Sequence, residues 1–563
     1  MPRAILIRRL CIATLLAATC LFAQGTGADW PSYGGTHAAW RYSKLDEINT
    51  ANVANLTPAW VFQTGDQVGG LQATPIVIDG VMYVSTSRNW VYALDAAGGK
   101  VLWKYRYGDP RGRVPYGTRN RGVAAGHGLV FMGTLDNHLV AIDQKTGQEV
   151  WNVSVEDSKQ CGCNINAAPL LVKDLVVVGG NGGDSAHRGY LTAFHAKTGR
   201  FAWRFYTIPG PGEPGHETWP GESWKYGGAA AWMTGSYDPQ LDLLYWGIGN
   251  AAADMGGDER KGLNLYSASV VALDPDTGKL KWHYQVVPHD VWDYDAAYEC
   301  ILVDLPVNGR MRKLLVQVTK TGYTFVLDRT NGELVKIWPF AEGMNWVQGI
   351  TEDGTLVGRN EARPGKPAFI CPSVYGAKSW NQAAYSPRTG LLYTPAMSLC
   401  NDMFVRKQPP KEGKTYTGGF WRIRKPEGLE HYSSISAFDP VSGEKRWTYP
   451  YKYLLLASVL TTAGDLIFTG DPEGEFFALD ASTGEKLWSF QTGSGNHGSA
   501  ISYKAGGRQY VATPSGWGPV AGPLLRLFPE LTEAGLPSGG STVFAFALQE
   551  ESPPEDSPAE DPQ

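Results

Sequence analysis

"ALDPDTGKLKW", residues 272–282, decides how this chain is read. It opens on apolar residues and an aspartate, turns at Thr-Gly and ends on a tryptophan. The pattern returns in "ALDAAGGKVLW" (93–103), "AIDQKTGQEVW" (141–151), "AFHAKTGRFAW" (193–203), "VLDRTNGELVK" (326–336), "AFDPVSGEKRW" (437–447) and "ALDASTGEKLW" (478–488). An aspartate bonds to its own following backbone and a glycine supplies positive φ, so the middle of each copy is a tight hairpin turn. Alternating apolar residues beside the turns, as in "VMYVSTSRNWVYALD" (81–95), read as short half-buried strands. His195 replaces one aspartate and Lys336 one tryptophan. Repetition marks these Trp and Asp residues as packing and turn residues rather than catalysts.

An eighth unit is split between the chain ends. Trp60, in "LTPAWVFQTG", ends a strand that lacks its turn, and "STVFAFAL" (541–548) supplies the matching apolar strand. The pattern predicts an all-β chain, an eight-bladed β-propeller closed by its N- and C-terminal strands, which leaves no sheet edge exposed. Two inter-unit spacings are long, His195 to Asp274 and Asp328 to Asp439, and their extra residues are expected as loops on one face.

The 563 residues are 43% hydrophobic and 19% charged, enough for a large core, and the net charge of −5 excludes a basic nucleic-acid footprint. Arg3, Arg8 and Arg9 precede an apolar run from Leu10 to Phe22, too short to span a bilayer. Residues 1–23 are read as a secretory signal peptide cut after Ala23, which sends the chain to the periplasm without a membrane anchor. Residues 24–548 form the propeller, and the acidic, Pro-rich 549–563 a disordered tail. Seven cysteines are present, two of them in the signal. Of Cys161, Cys163, Cys300, Cys371 and Cys400, one or two bridges can form and at least one thiol stays unpaired. No C-x-x-C-H haem attachment is present.

"VPHDVWDYDAAYEC" (287–300) carries Asp293 and Asp295 at i and i+2, just after a predicted strand. In a strand that spacing puts both carboxylates on one face, where they repel unless the face is wet or a cation lies between them. With the repeat, and with motifs in the same order from "GGLQATPIVIDGVMYVST" (69–86) to "GSGNHGSAISYKAGGRQYVATPSGWG" (493–518), this "WDYD" resembles the quinoprotein alcohol dehydrogenases, which oxidise alcohols with pyrroloquinoline quinone (PQQ) and a metal ion. The resemblance covers nearly the whole chain after the signal. It implies Asp293 as catalytic base, and Asp184, Asn250, Asp293 and Asp295 as metal ligands. Asp295 stands where the lanthanide-dependent members have an extra carboxylate. It implies PQQ contacts from Gln72, Arg121, Asn166, Asn181, Trp232, Lys320, Ser379 and Trp517. It also implies a Cys371–Cys400 disulfide, while Cys161 and Cys163 stay open between bridge and thiols.

Those residue types suit the chemistry. A planar tricarboxylated quinone needs an aromatic platform, cationic forks and a Lewis acid at its carbonyl. Three carboxylates around one ion favour a trivalent lanthanide over Ca²⁺. The expected reaction is oxidation of a primary or secondary alcohol, Asp293 taking the hydroxyl proton and PQQ the hydride. Electrons then leave to an external acceptor, a soluble cytochrome c. The chain departs from the family at Asp184, where a glutamate is usual, and at Pro115-Tyr116, where many methanol dehydrogenases have adjacent cysteines. Asn166, Asn181, Gln72 and Ser379 also differ from the common Thr, Ser, Glu and Asn. The competing readings are a Ca²⁺–PQQ sugar or polyol dehydrogenase, a member that binds PQQ without turnover, and a non-catalytic propeller scaffold of the outer-membrane assembly type. The alcohol is not legible, and a homodimer stays open.

Overall fold

A computed structural model of the protein describes residues 28–66, 68–108, 116–518, 526–533, 535 and 539–549. Residues 1–23, read as a signal peptide, and nearly all of 549–563, read as a tail, lie outside them. The described chain is all-β and folds as a propeller of antiparallel sheets. In the first sheet the strands Ile76–Ile78, Val81–Ser85, Trp90–Asp95 and Val101–Arg106 pair in sequence order. Among the described residues seven sheets have four strands, and one has five because Tyr42–Ser43 adds in parallel to Leu460–Thr462. One of the seven takes strands from both chain ends: Leu56–Gln63 pairs antiparallel with Thr542–Leu548.

The repeat works as its composition implies. Asp143 Oδ1 accepts from the backbone N–H of Lys145 (3.1 Å) and Thr146 (2.8 Å) and from the Thr146 hydroxyl (2.8 Å). Gly147 follows at φ 72°, and a Cβ there would stand 2.8 Å from the Trp103 indole. That contact shows what the tryptophans do: each docks on the next sheet, all but Trp488 at its turn. Trp103 Nε1 donates to Gln144 O (3.0 Å), Trp151 to Ala196 O (2.9 Å), Trp203 to Pro275 O (2.9 Å) and Trp282 to Arg329 O (3.2 Å). Trp447 reaches Ala481 O (3.1 Å), Trp488 reaches Leu56 O (3.0 Å) and Trp60 reaches Ala96 O (3.1 Å). The unit that has Lys336 in place of tryptophan is not missing its dock. Trp338, two residues on and so on the same strand face, donates to Pro440 O (3.3 Å). Every other docking tryptophan lies opposite an alanine, as Trp103 does Ala93, whereas Lys336 lies opposite the bulkier Val326.

The N-terminal segment ties the sheets from a second side. The buried Arg41 guanidinium donates to Val459 O (2.8 Å), Ala500 O (2.7 Å), Tyr33 O (3.2 Å) and Gln382 Oε1 (3.1 Å). Trp40 donates to Leu302 O, and His37 O accepts from Tyr237 N.

Trp203→Ala, which removes a buried dock, is expected to cost about 3–5 kcal/mol in chemical unfolding, and Trp203→Phe clearly less. A pH effect is expected at Asp471, buried beside Tyr451, whose hydroxyl donates to it at 2.8 Å. Burial raises its carboxyl to about 6 against the opposing hydrogen bonds from Tyr451 and Glu475 N–H. A carboxyl with a raised folded-state pKa keeps its stabilisation only while protonated, so stability falls as pH rises from about 4 through 6. Asp471→Asn should remove that fall; its melting temperature relative to wild type should rise over this range and level off above pH 7.

Candidate functional site

In a four-stranded meander the start of the innermost strand and the end of the second lie at the same end of the sheet. The sequence-predicted residues fall there. Gln72, Arg121, Asn166, Trp232, Asp293, Asp295 and Ser379 precede innermost strands, and Asn181, Asp184, Asn250, Lys320 and Trp517 follow second strands. Strand order therefore gathers residues far apart in sequence at one end of the molecule.

The centre is a cluster of carboxylates around one ammonium. Lys320 Nζ lies 3.1 Å from Asp293 Oδ1 and 2.7 Å from Asp295 Oδ2, and donates to Asp293 O at 2.6 Å. The other Asp295 oxygen accepts from Trp232 Nε1 (2.9 Å) and Asn250 N–H (3.1 Å). Asn250 Nδ2 donates to Asp254 (3.0 Å) and lies 3.5 Å from Asp184 Oδ1. The strand geometry expected for "WDYD" does not hold. These residues form a loop, and Asp293 sits in the left-handed region at φ 64°. Asp290, which had no role in the sequence reading, accepts from the N–H groups of Trp292 (3.0 Å) and Tyr294 (2.9 Å) and so shapes that loop.

Negative charge exceeds positive here. Burial pushes the Asp184 carboxyl up to about 6, with Asp295 adding and Lys320 opposing. Burial likewise holds Asp293 and Asp254 well above the usual range, reinforced by neighbouring aspartates and opposed by Lys320 and Arg260 respectively. Burial alone would lower the Lys320 ammonium, but Asp293 and Asp295 reverse this and hold it well above its ordinary value. Among the described residues no three His, Cys, Asp or Glu side chains close up into a metal cluster. The ammonium lies between the two aspartates of the loop. The donors are nevertheless all oxygen and over-supplied with charge, which fits a hard multivalent cation.

Beside this cluster is an aromatic pocket with unused donors. Trp232 and Trp517 belong to one apolar cluster with Tyr33, Trp380 and Met233. Arg121 lies over the Trp232 ring at 5.2 Å, and its Nε and Nη1 are buried without a partner. Gln72 Nε2, Asn166 Oδ1 and Nδ2 and Trp517 Nε1 are buried and unpartnered as well. A buried cation without an acceptor is costly, so the pocket calls for a carboxylate-bearing ligand. The residues present thus fit a flat tricarboxylate. Asn181 is instead tied to Asn164 at 3.3 Å, and Ser379 donates its N–H to Asn381.

Sequence reasoning missed Asp254, four residues after Asn250 and fully buried. It also missed His497, which packs between Trp380 (5.2 Å) and Trp517 (5.6 Å). Burial, then the charges of Arg121 and Arg119, lower His497 to about 3, so its imidazole is neutral. The "GNHG" within the quoted 493–518 motif was the available signal. Cys371 and Cys400 are bridged, Cys161 and Cys163 are bridged too, and Cys300 is a buried free thiol.

The family model described as glucose/ethanol/alcohol dehydrogenase, PQQ β-propeller domain, matches residues 30–345 and 450–511. The quinoprotein alcohol dehydrogenase PedH of Pseudomonas putida is 39% identical over 510 residues, 85% of this chain and 84% of its own. The lanthanide-dependent methanol dehydrogenase of Methylorubrum extorquens is 35% identical over 86% of each chain. The solved europium-containing methanol dehydrogenase superposes with a TM-score of 0.87 at 34% identity, over 93% of this chain and 98% of that one.

Lys320→Met leaves the buried aspartates without their ammonium. It should destabilise the metal-free protein by about 3–5 kcal/mol in urea unfolding.

Proposed function

The chain belongs to the PQQ-dependent quinoprotein alcohol dehydrogenases, alcohol-oxidising oxidoreductases, and from that premise we propose how its own residues divide the work. Asp184, Asn250, Asp293 and Asp295 hold the metal ion, with Asp254 orienting the Asn250 amide. Trp232 and Trp517 hold the PQQ ring system, and Arg121, Gln72, Asn166, Asn181, Lys320 and Ser379 its polar edge. When bound, PQQ supplies the hydride acceptor and the cation the Lewis acid.

Asp293 takes the hydroxyl proton of a primary or secondary alcohol. Its carboxyl is buried among like charges, which makes it a stronger base than a solvated aspartate. Lys320 at 3.1 Å holds it in place. Asp295 does not touch the alcohol. Its oxygens are fixed by Lys320, Trp232 and Asn250, and it completes the metal shell. The preferred ion is a lanthanide. The single observation that carries this is the carboxylate count around one ammonium, and the lanthanide-dependent and europium-containing relatives favour it too.

The ring is read as eight-bladed and closed, from residues 24–548 as one domain. Support comes from the sheet that joins both chain ends and from tryptophan docks that run from each sheet to the next. The periplasm is the proposed compartment, with a soluble cytochrome c as electron acceptor.

Reconstitution of the purified protein with PQQ plus La³⁺ or Ca²⁺ tests the reading through dye reduction with short alcohols. La³⁺ should give at least ~10-fold the Ca²⁺ rate; activity with Ca²⁺ alone would overturn the lanthanide assignment. Asp295→Ala should abolish the La³⁺-dependent rate. Asp293→Asn should lower kcat by roughly 10²–10⁴ with PQQ still bound.

A further inference from the structure

The Cys161–Cys163 disulfide is the smaller of the two bridges among the described residues. It joins residues two apart, whereas Cys371–Cys400 spans 29. A ring this small removes almost no freedom from the unfolded chain, so it contributes little as a global staple. Its surroundings indicate another role.

The ring is anchored on two sheets. Asn137 Nδ2 donates to Cys163 Sγ (3.1 Å) and to the Tyr190 hydroxyl (2.8 Å). Asp157 caps the short turn Ser158–Cys161, and Gly162 follows at φ 61°. A Cβ on Gly162 would stand 2.3 Å from Gly413 O, so the ring lies directly on the 413–416 segment.

The segment carrying Asp184 is bound to this ring at both ends. Before Asp184, Asn164 and Asn181 exchange backbone hydrogen bonds at 3.3 and 2.7 Å, and Gly182 packs on Cys163. After it, the Ser185 hydroxyl donates to Gly162 O at 3.1 Å and pairs with the Tyr116 hydroxyl at 2.7 Å. The opposite side is closed by the 413–416 segment. Gly413 N–H donates to Ala186 O (3.0 Å), Ala186 N–H to Lys414 O (2.9 Å) and Tyr416 N–H to Asp184 O (2.7 Å).

We propose that the Cys161–Cys163 ring is a positioning device that fixes the backbone of residues 181–185, so that the short carboxylate of Asp184 reaches the cation. This rests on the reading of Asp184 as a metal ligand. An aspartate has one torsion fewer than a glutamate with which to correct a misplaced backbone. A site tolerating about 0.5 Å of error must therefore hold that backbone from outside. The disulfide, two sheets and the 413–416 segment do so together.

The test uses the full-length apoprotein titrated with Tb³⁺, read by luminescence sensitised by neighbouring tryptophans. Cys161→Ser/Cys163→Ser should weaken Tb³⁺ binding at least ~10-fold, the effect of losing support behind a metal ligand. Its melting temperature should stay within a few degrees of wild type. Asp184→Glu in the double-serine protein should restore the affinity to within about threefold, because the longer side chain recovers the reach. An unchanged Tb³⁺ affinity in the double variant, or a loss that Asp184→Glu leaves unrepaired, would overturn the proposal. Asp184→Asn in the wild-type protein separates the two layers. Loss of Tb³⁺ binding there with none in the double variant refutes the ring's role alone, whereas no loss refutes the ligand reading and the ring's role with it. If the double variant does not fold, Ser185→Ala cuts the ring's link to the segment. It should weaken binding at least ~3-fold, and no change would overturn the proposal.

Discussion

The indole N–H of one sheet bonded to the turn carbonyl of the next is the interaction on which the rest of this structure depends. Each sheet alone is a four-stranded meander with two faces to bury. The indole covers the glycine of the neighbouring turn and leaves no room for a side chain there, as at Gly147 under Trp103. The hydrogen bond fixes the angle between sheets as well as their distance, because an indole N–H has a single direction. Trp488 donating to Leu56, and Trp60 to Ala96, extend the same contact across the chain termini.

That fixed angle is what makes a charge cluster possible. Asp184, Asn250, Asp293 and Lys320 come from different sheets or the loops between them, and no local structure would bring them together. Like charges at this density repel, and the indole docks and the buried Arg41 network supply the rigidity that holds them. Lys320 relieves part of the repulsion by lying against both aspartates of one loop. Burial is the larger effect: it raises Asp293 despite that ammonium, and raises Asp184 and Asp254 as well.

Much of the fold was legible because the repeat couples a turn, a strand and a dock at constant spacing. The exception is instructive. Lys336 reads as a lost tryptophan, but the dock moved two residues to Trp338, and the change of the facing alanine to Val326 was the local sign of it. That the sequence-predicted site residues gather at one end of the sheets followed from strand order, but their geometry was not legible. The i, i+2 rule assumed a pleated strand at "WDYD", whereas Asp290 captures two backbone N–H groups and turns the segment into a loop. Asp254 escaped notice because its partner, the Asn250 amide, is evident only once the loop is folded. The Cys161–Cys163 bridge could not be decided because two cysteines at i, i+2 are sterically able to be either thiols or a ring.

Gln72 and Ser379 depart from the family on separate sheets, whereas the departures at Asn181 and Asp184 share one segment. The carboxylate at 184 is short, Asn181 precedes it by three residues, and the Cys161–Cys163 ring lies under both. On the proposed reading of Asp184 as a ligand, a side chain shorter by a methylene needs its backbone held closer to the cation. The groups that pack on that backbone are the ring, the Asn164–Asn181 pair it precedes, and Ser185 with its bonds to Gly162 and Tyr116. Asp293, Asp295 and Lys320 lie on other sheets and keep the family's residue types. Within the rigid frame, that segment is held by supports of its own: the ring on one side and the 413–416 segment on the other.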